Sequence, residues 1–259
     1  MLTYPNIDPI LISLGPLEIR WYSLAYILGV TLPFLIFKKA YRHSLKMSQD
    51  DILNYISYLI IGVILGGRLG YVLFYDFVEF LKQPYLIFAI WQGGMSYHGG
   101  AIGSILSTIL FAKRYKRSVL GMLDLLAIGS TIGIFLGRIA NFINGELFGR
   151  VTTSAFGMVF PMGGPLPRHP SQLYESFMEG LLLFLILWAV RKYWAPRPGI
   201  LGSLYLVLYG CFRFVLEFFR EPDAHLGFII HVFSLGQLLC AIEIMIGLYL
   251  CWLLRKQPT

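Results

Sequence analysis

Apolar residues in this chain fall in long runs, with the polar residues gathered between them. The runs lie at about residues 20–38, 52–75, 86–111, 119–138, 172–190, 200–220 and 229–253. Their lengths match the roughly 20 residues a helix needs to cross a bilayer's hydrocarbon core. The pattern predicts an all-α integral membrane protein with seven transmembrane helices, a single polytopic domain over 1–259. Residues 139–171, between spans four and five, read as a small loop domain. The opening MLTYPNIDPILISLGPLEIR has no basic leader before its apolar residues, so no cleavable signal peptide is expected.

The charges orient the helices. The connections KKAYRHSLK, AKRYKR and RKYWAPRPG and the tail RKQPT carry 13 of the 21 Lys and Arg. YDFVEFLKQPY has one lysine against Asp76 and Glu79. Cytoplasmic loops are the basic ones. The N-terminus is therefore expected outside, the C-terminus in the cytoplasm, and the 139–171 loop on the outer face. This placement gives the net charge of +7 to the membrane and leaves no case for nucleic acid. Composition agrees: 57% of residues are hydrophobic and 14% charged. Cys211, Cys240 and Cys251 lie in apolar runs and suit membrane packing better than a disulfide framework or a zinc site. Gly62, Gly66 and Gly70, and then Gly129, Gly133 and Gly137, recur every four residues, a spacing that lets helix backbones approach closely. There is no internal repeat of the kind that builds transporters.

Eight basic residues remain on or near the outer side: Arg20, Arg68, Lys82, Arg138, Arg150, Arg168, Arg213 and Arg220. Lys82 is an ordinary loop residue, and Arg20 or Arg68 can snorkel to the interface. The preference for arginine points to phosphate or carboxylate, which its planar fork of donors grips. Span four begins near Val119, and 1.5 Å per residue carries Arg138 roughly 29 Å, to the outer end. Arg138 and Asn141 can share a helix face there, followed by Asn144, Glu146, Gly149 and Arg150 in GRIANFINGELFGR. In span six, Tyr209, Arg213, Glu217 and Arg220 fall within about 80° of one another on a helix. Ionisable groups at bilayer depth mark a functional interior face by default. Glu217 can pair with both Arg213 and Arg220, which leaves one positive charge for a ligand.

In span three, QGGMSYHGG sets His98 among glycines that read as a break or close-contact segment. Histidine suits proton transfer near neutral pH; a hydrogen-bonded structural role is the alternative. Tyr22 reads as an interfacial belt residue, while Tyr26, one turn deeper, can face the site. His43, His98, His169, His225 and His231 form no HExxH or His–Cys pattern, so neither a metal nor a cofactor is expected. GxSxG and GxxxxGK[ST] are absent too.

With these residues in hand, the chain strongly resembles the prolipoprotein diacylglyceryl transferases, bacterial membrane enzymes that lipidate lipoprotein precursors. GRIANFINGELFG matches the family signature at Gly137, Arg138, Ala140, Asn141, Phe142, Asn144, Glu146 and Gly149. GGRLGYVLFY, YHGG, RHPSQLYE and YGCFRFVLEFFREPD resemble further family segments in family order. The resemblance implies transfer of a diacylglyceryl group from phosphatidylglycerol to the lipobox cysteine of a preprolipoprotein signal peptide, in the bacterial cytoplasmic (inner) membrane. It also implies roles. Arg138 and Arg213 hold the phosphate, and His98 is the candidate base, with thiol proton loss to water or phosphate as the alternative. Asn141, Asn144 and Glu146 orient the head group or support the arginines, Gly149, Glu217 and Arg220 complete the substrate site, and Tyr26 and Tyr209 bond the substrate. The rival class is a non-catalytic phospholipid transporter or scramblase. It would need a polar path through the inner halves of the spans, which are almost free of charge. An intramembrane protease would need a serine–histidine or paired-aspartate pattern, and neither is present.

Overall fold

The computed structural model describes residues 2–15, 17–89, 91, 93–194, 197–221, 228–230 and 233–256. It divides into two compact units, Met1–Leu35 with Ala127–Thr259, and Ile36–Leu126. Among the described residues, four helical stretches are long and apolar enough to cross a membrane: Gln49–Tyr75, Val119–Ile143, Ser171–Arg191 and Leu235–Arg255. Trp21–Ile36 and Ile200–Leu216 are shorter apolar helices.

The 36–126 unit is built on helices α2 (Gln49–Tyr75) and α4 (Tyr97–Arg114). The Ser48 hydroxyl accepts from the Asp51 backbone, and the Asp51 carboxylate accepts from the Ser48 backbone, which closes a capping box at the start of α2. The glycines at four-residue spacing do what the sequence suggests. A methyl added at Gly66 would strike the Gly99 carbonyl, and one at Gly103 the Gly62 carbonyl. The Tyr55 and Thr108 hydroxyls join the two helices at 2.8 Å. Span three departs from its predicted start. Residues Phe77–Lys82 form a short helix α3 and Pro84–Phe88 a 3-10 turn. Gly93 and Gly94 take left-handed φ values of 82° and 80°, so helix α4 begins only at Tyr97.

Arg68 does not snorkel. It is 6% exposed, and its guanidinium donates to the carbonyls of Leu86, Ile87, Gly93 and Gly94. The irregular segment before α4 is thus folded over a cation on α2.

The other unit opens with a hairpin, β1 (Ile10–Leu14) against β2 (Leu17–Arg20), and helix α1 (Trp21–Ile36). Helix α1 packs on α5 (Val119–Ile143), where a methyl at Gly29 would lie 3.0 Å from the Gly133 Cα. Gly137 faces open space and takes no part in that packing. Helix α6 (Ser171–Glu175) runs through a π-helical stretch, Ser176–Leu182, into α7 (Leu183–Trp194). Gly180 sits so close to α5 that an added methyl would lie 2.7 Å from the Phe135 Cα, and the Ser176 hydroxyl donates to the Phe135 carbonyl at 3.0 Å. Helices α8 (Ile200–Leu216) and α9 (Leu235–Arg255) pair through Gly210 and Gly247. The predicted seventh span begins instead with a strand pair, β3 (Phe228–Ile230) and β4 (Phe233–Ser234). Cys240 is buried, Cys251 half-buried and Cys211 exposed, all as free thiols.

The loop between α5 and α6 has its own small core of Phe142, Met158 and Phe160, flanked by Tyr4, Phe148 and Leu173. Short antiparallel bridges, Val151 to Arg168 and Met158 to Arg168, tie it together. Tyr4 shares its single hydroxyl proton between the carbonyls of Phe142 and Ile143, at 2.8 and 3.0 Å, at the end of α5.

Candidate active site

Helix α5 continues past residue 138 to Ile143, so Arg138 and Asn141 do share its last turns. Gly145, at φ 67°, turns the chain back. Glu146 then accepts a hydrogen bond from the Asn141 amide at 2.8 Å and from the Asn144 amide at 3.4 Å. The backbone carbonyl of Glu146 is held in turn by Gln172 at the start of α6.

Arg138 meets two carboxylates that the sequence did not single out. Its Nη2 lies 2.8 Å from Glu175 and 4.0 Å from Glu179. Both glutamates are fully buried, and the π-helical stretch begins just after Glu175 and contains Glu179. Stretches of π-helix recur at functional sites, where they re-aim side chains. Arg213 on α8 joins the same group, 3.5 Å from Glu175, 3.7 Å from Glu179 and 2.9 Å from Glu217. Glu217 also accepts from the Ser234 hydroxyl at 2.9 Å.

The predicted pairing of Glu217 with Arg220 does not form. Helix α8 ends at Leu216, and Arg220 reaches Glu175 at 3.4 Å instead. The predicted surplus of one positive charge is likewise corrected. Arg138, Arg213 and Arg220 face Glu175, Glu179 and Glu217, and the formal charges cancel. The cluster is layered: the side chains of Glu175 and Glu179 are 1% and 0% exposed, those of Arg138 and Arg213 19% and 16%. Buried charges on this scale persist only when paired.

A family model described as prolipoprotein diacylglyceryl transferase matches residues 9–253. A phosphatidylglycerol–prolipoprotein diacylglyceryl transferase of Geobacter sulfurreducens is 48% identical over 259 residues, covering 100% of this chain and 99% of the relative. Proteins of the same name from Pseudoalteromonas translucida and Rickettsia felis are 48% and 45% identical, covering 97% of each relative and 100% and 96% of this chain. The chain belongs to the prolipoprotein diacylglyceryl transferase family.

Other residues expected in a diacylglyceryl transferase site are more dispersed. Gly149 is a joint: its N–H donates to the His169 carbonyl at 2.8 Å, and an added methyl would strike the Phe219 carbonyl. Arg150 donates to the carbonyls of Arg220 and Glu217 at 2.7 and 3.3 Å, so it buttresses the end of α8. His169 packs between Tyr174 and Phe219, where burial pushes its imidazole below the usual value. Tyr209 is half-buried, stacked on Tyr205 at 5.5 Å and within electrostatic range of Arg138 and Arg213. Tyr26 is 58% exposed, its ring 5.2 Å from that of Tyr22. His98 belongs to the 36–126 unit, exposed in the first turn of α4 beside Tyr97. His225 and His231 lie outside the described residues.

Proposed function

We propose that this membrane transferase moves the diacylglyceryl group of phosphatidylglycerol onto the lipobox cysteine of a preprolipoprotein, the first step of lipoprotein maturation. The observation that carries it is the cluster of Arg138, Arg213 and Arg220, partly exposed and backed by a more deeply buried carboxylate. The relatives bear the names of both substrates, phosphatidylglycerol and prolipoprotein.

In the reaction the cysteine sulfur attacks the glyceryl methylene that bears the phosphate. A carbon–sulfur bond forms, the carbon–oxygen bond breaks, and glycerol phosphate leaves with the bonding pair. The departing phosphate gains negative charge, and guanidiniums fixed beforehand stabilise it without reorganising. Arg138 and Arg213 are assigned to that phosphate. Asn141, Asn144 and Glu146 orient the head group, with Gly149, Glu217 and Arg220 shaping its surroundings. Tyr26 and Tyr209 bond the substrate. The thiol, of ordinary pKa about 8.5, loses its proton on the way, with His98 as the proposed acceptor.

Seven spans set this site at the outer face of the bacterial inner membrane, with the N-terminus and the 139–171 loop domain outside and the C-terminus in the cytoplasm. The basic connections support that orientation. A reporter fused after Thr259 should behave as cytoplasmic, and an external one would reverse the site's side.

The deciding experiment incubates purified protein with phosphatidylglycerol and a lipobox peptide and weighs the peptide by mass spectrometry. A gain of one diacylglyceryl mass is expected. An unmodified peptide, with labelled phosphatidylglycerol crossing the bilayer of reconstituted vesicles, would make the chain a lipid carrier instead.

A further inference from the structure

We infer that Glu175 is a positioning residue, the tether that aims the arginines of the lipid site; this rests on the transfer reaction proposed above. One carboxylate serves three guanidiniums from different parts of the chain. Its Oε2 lies 2.8 Å from Arg138 on α5, 3.5 Å from Arg213 on α8 and 3.4 Å from Arg220 just beyond α8. Its own helix is pinned from behind. The next residue, Ser176, is bonded to the Phe135 carbonyl, and Gly180 presses against the Phe135 backbone. Glu175 therefore has little freedom to follow its partners, and the arginines must come to it.

Glu179 plays the lesser part. It is fully buried, neither of its oxygens has a hydrogen-bond partner among the described residues, and its ion pairs are the longer ones, 3.7 Å to Arg213 and 4.0 Å to Arg138. It balances charge, whereas Glu175 fixes geometry. The layering explains why the tether is useful. The carboxylates are more deeply buried than the arginines they hold, 1% and 0% exposed against 19% and 16%, so the arginines form the outer layer of the cluster. Arginine side chains are long and rotamer-rich, and one held by its far edge presents the rest in a fixed plane.

Glu175→Gln separates tethering from charge and from folding. It keeps the shape and removes the negative charge, so the cluster gains net positive charge and the arginines become less ordered. Lipid binding should be kept, with KM for phosphatidylglycerol unchanged or lower, while kcat falls about ten- to a hundredfold. Phenylglyoxal labelling mapped by mass spectrometry should show Arg138 and Arg213 modified faster than in the wild type. That second readout requires no turnover. A wild type that leaves the peptide unmodified sinks the transfer reading, while labelling still decides the tether. Glu175→Asp keeps the charge balance and withdraws the carboxylate by about one carbon–carbon bond; it serves if the glutamine variant does not fold. It should show the same kcat loss and faster labelling, in weaker form. Wild-type kcat together with wild-type labelling in either folded variant overturns the proposal. So does a loss confined to KM.

Discussion

Arg68 and Arg213 are both drawn into the protein, but they are held in opposite ways. Arg68 is enclosed by four backbone carbonyls and the ring of Tyr71, with no carboxylate at ion-pair distance among the described residues. Four of its five N–H donors go to the chain itself. Arg213 is neutralised by Glu175, Glu179 and Glu217, the last only 2.9 Å from its Nη2, and its side chain stays 16% exposed. Carbonyls saturate a guanidinium and make it a clamp. Carboxylates at ion-pair distance balance the charge of a guanidinium that stays partly exposed. The first arrangement suits scaffolding, the second a site where charge develops during a reaction.

The largest expected effect tests whether the unit that holds Arg68 is scaffold alone. His98 lies in that unit, at the start of α4, just after the segment that Arg68 clamps. Ser96 sets the helix start: its N–H donates to the Gly67 carbonyl at 2.8 Å, and its hydroxyl accepts from Gly99. If His98 takes the thiol proton, His98→Gln lowers kcat about 10²- to 10⁴-fold, the usual weight of a general base, with lipid affinity kept. Raising the pH then restores part of the rate, because more of the substrate thiol ionises as pH approaches its pKa of about 8.5. A pH–rate profile alongside lipid affinity checks this. Wild-type turnover in the variant, or a loss traced to lipid binding, returns His98 to a structural or head-group role and leaves the unit as scaffold.

Next come the arginines themselves. Arg138→Lys and Arg213→Lys keep the charge and lose the fork, and each should slow transfer about ten- to a hundredfold, the weight of one charge-assisted hydrogen bond of roughly 1.5–3 kcal/mol. Stability should change little, since a lysine ammonium still balances Glu175. Full activity in either lysine variant would mean that charge alone suffices there.

How far these two settings could be read from the chain differs for physical reasons. The clustering of Arg138, Arg213 and Arg220 could be anticipated, because arginines at the ends of apolar runs away from the basic connections defy the usual charge distribution. Glu175 and Glu179 carried the same kind of signal, two carboxylates four residues apart where SQLYESFMEG runs into LLLFLILWAV. They did not stand out, because no linear pattern says that Arg138 and Arg213 converge on them. The helical runs were legible from length and hydropathy, but three ends were misplaced. Gly93 and Gly94 delay α4, α8 stops at Leu216, and a strand pair precedes α9. The cage of Arg68 was not legible at all. Its acceptors are main-chain carbonyls, which every residue has, and only the path of the backbone brings them to one guanidinium.

Arg68→Leu turns that difference into a measurement. It removes the donor and leaves the carbonyls of Leu86, Ile87, Gly93 and Gly94 to find other partners; a buried polar group left unsatisfied costs about 1–3 kcal/mol. The protein should unfold at lower denaturant and be cut faster by protease within residues 84–96, with affinity for phosphatidylglycerol unchanged. Weakened lipid binding at wild-type stability would break the contrast and move Arg68 into the head-group site.

The smallest effect is expected from Tyr4, the residue that finishes α5 from the far end of the sequence. Its hydroxyl serves the carbonyls of Phe142 and Ile143, its ring lies 5.4 Å from that of Phe142, and burial pushes its pKa upward, so it stays a neutral donor. Tyr4→Phe keeps the ring packing and deletes only the donor. The loss should be that of an ordinary hydrogen bond, about 0.5–1.5 kcal/mol, read as a shifted unfolding midpoint. Turnover per folded molecule should hold, because Asn141 and Glu146 remain bonded to each other at 2.8 Å and the arginines are anchored by carboxylates rather than by the helix end. A loss of turnover as large as that of Arg138→Lys would show that the end of α5 is positioned by Tyr4 and that the arginine cluster depends on it, making the loop core part of the catalytic geometry.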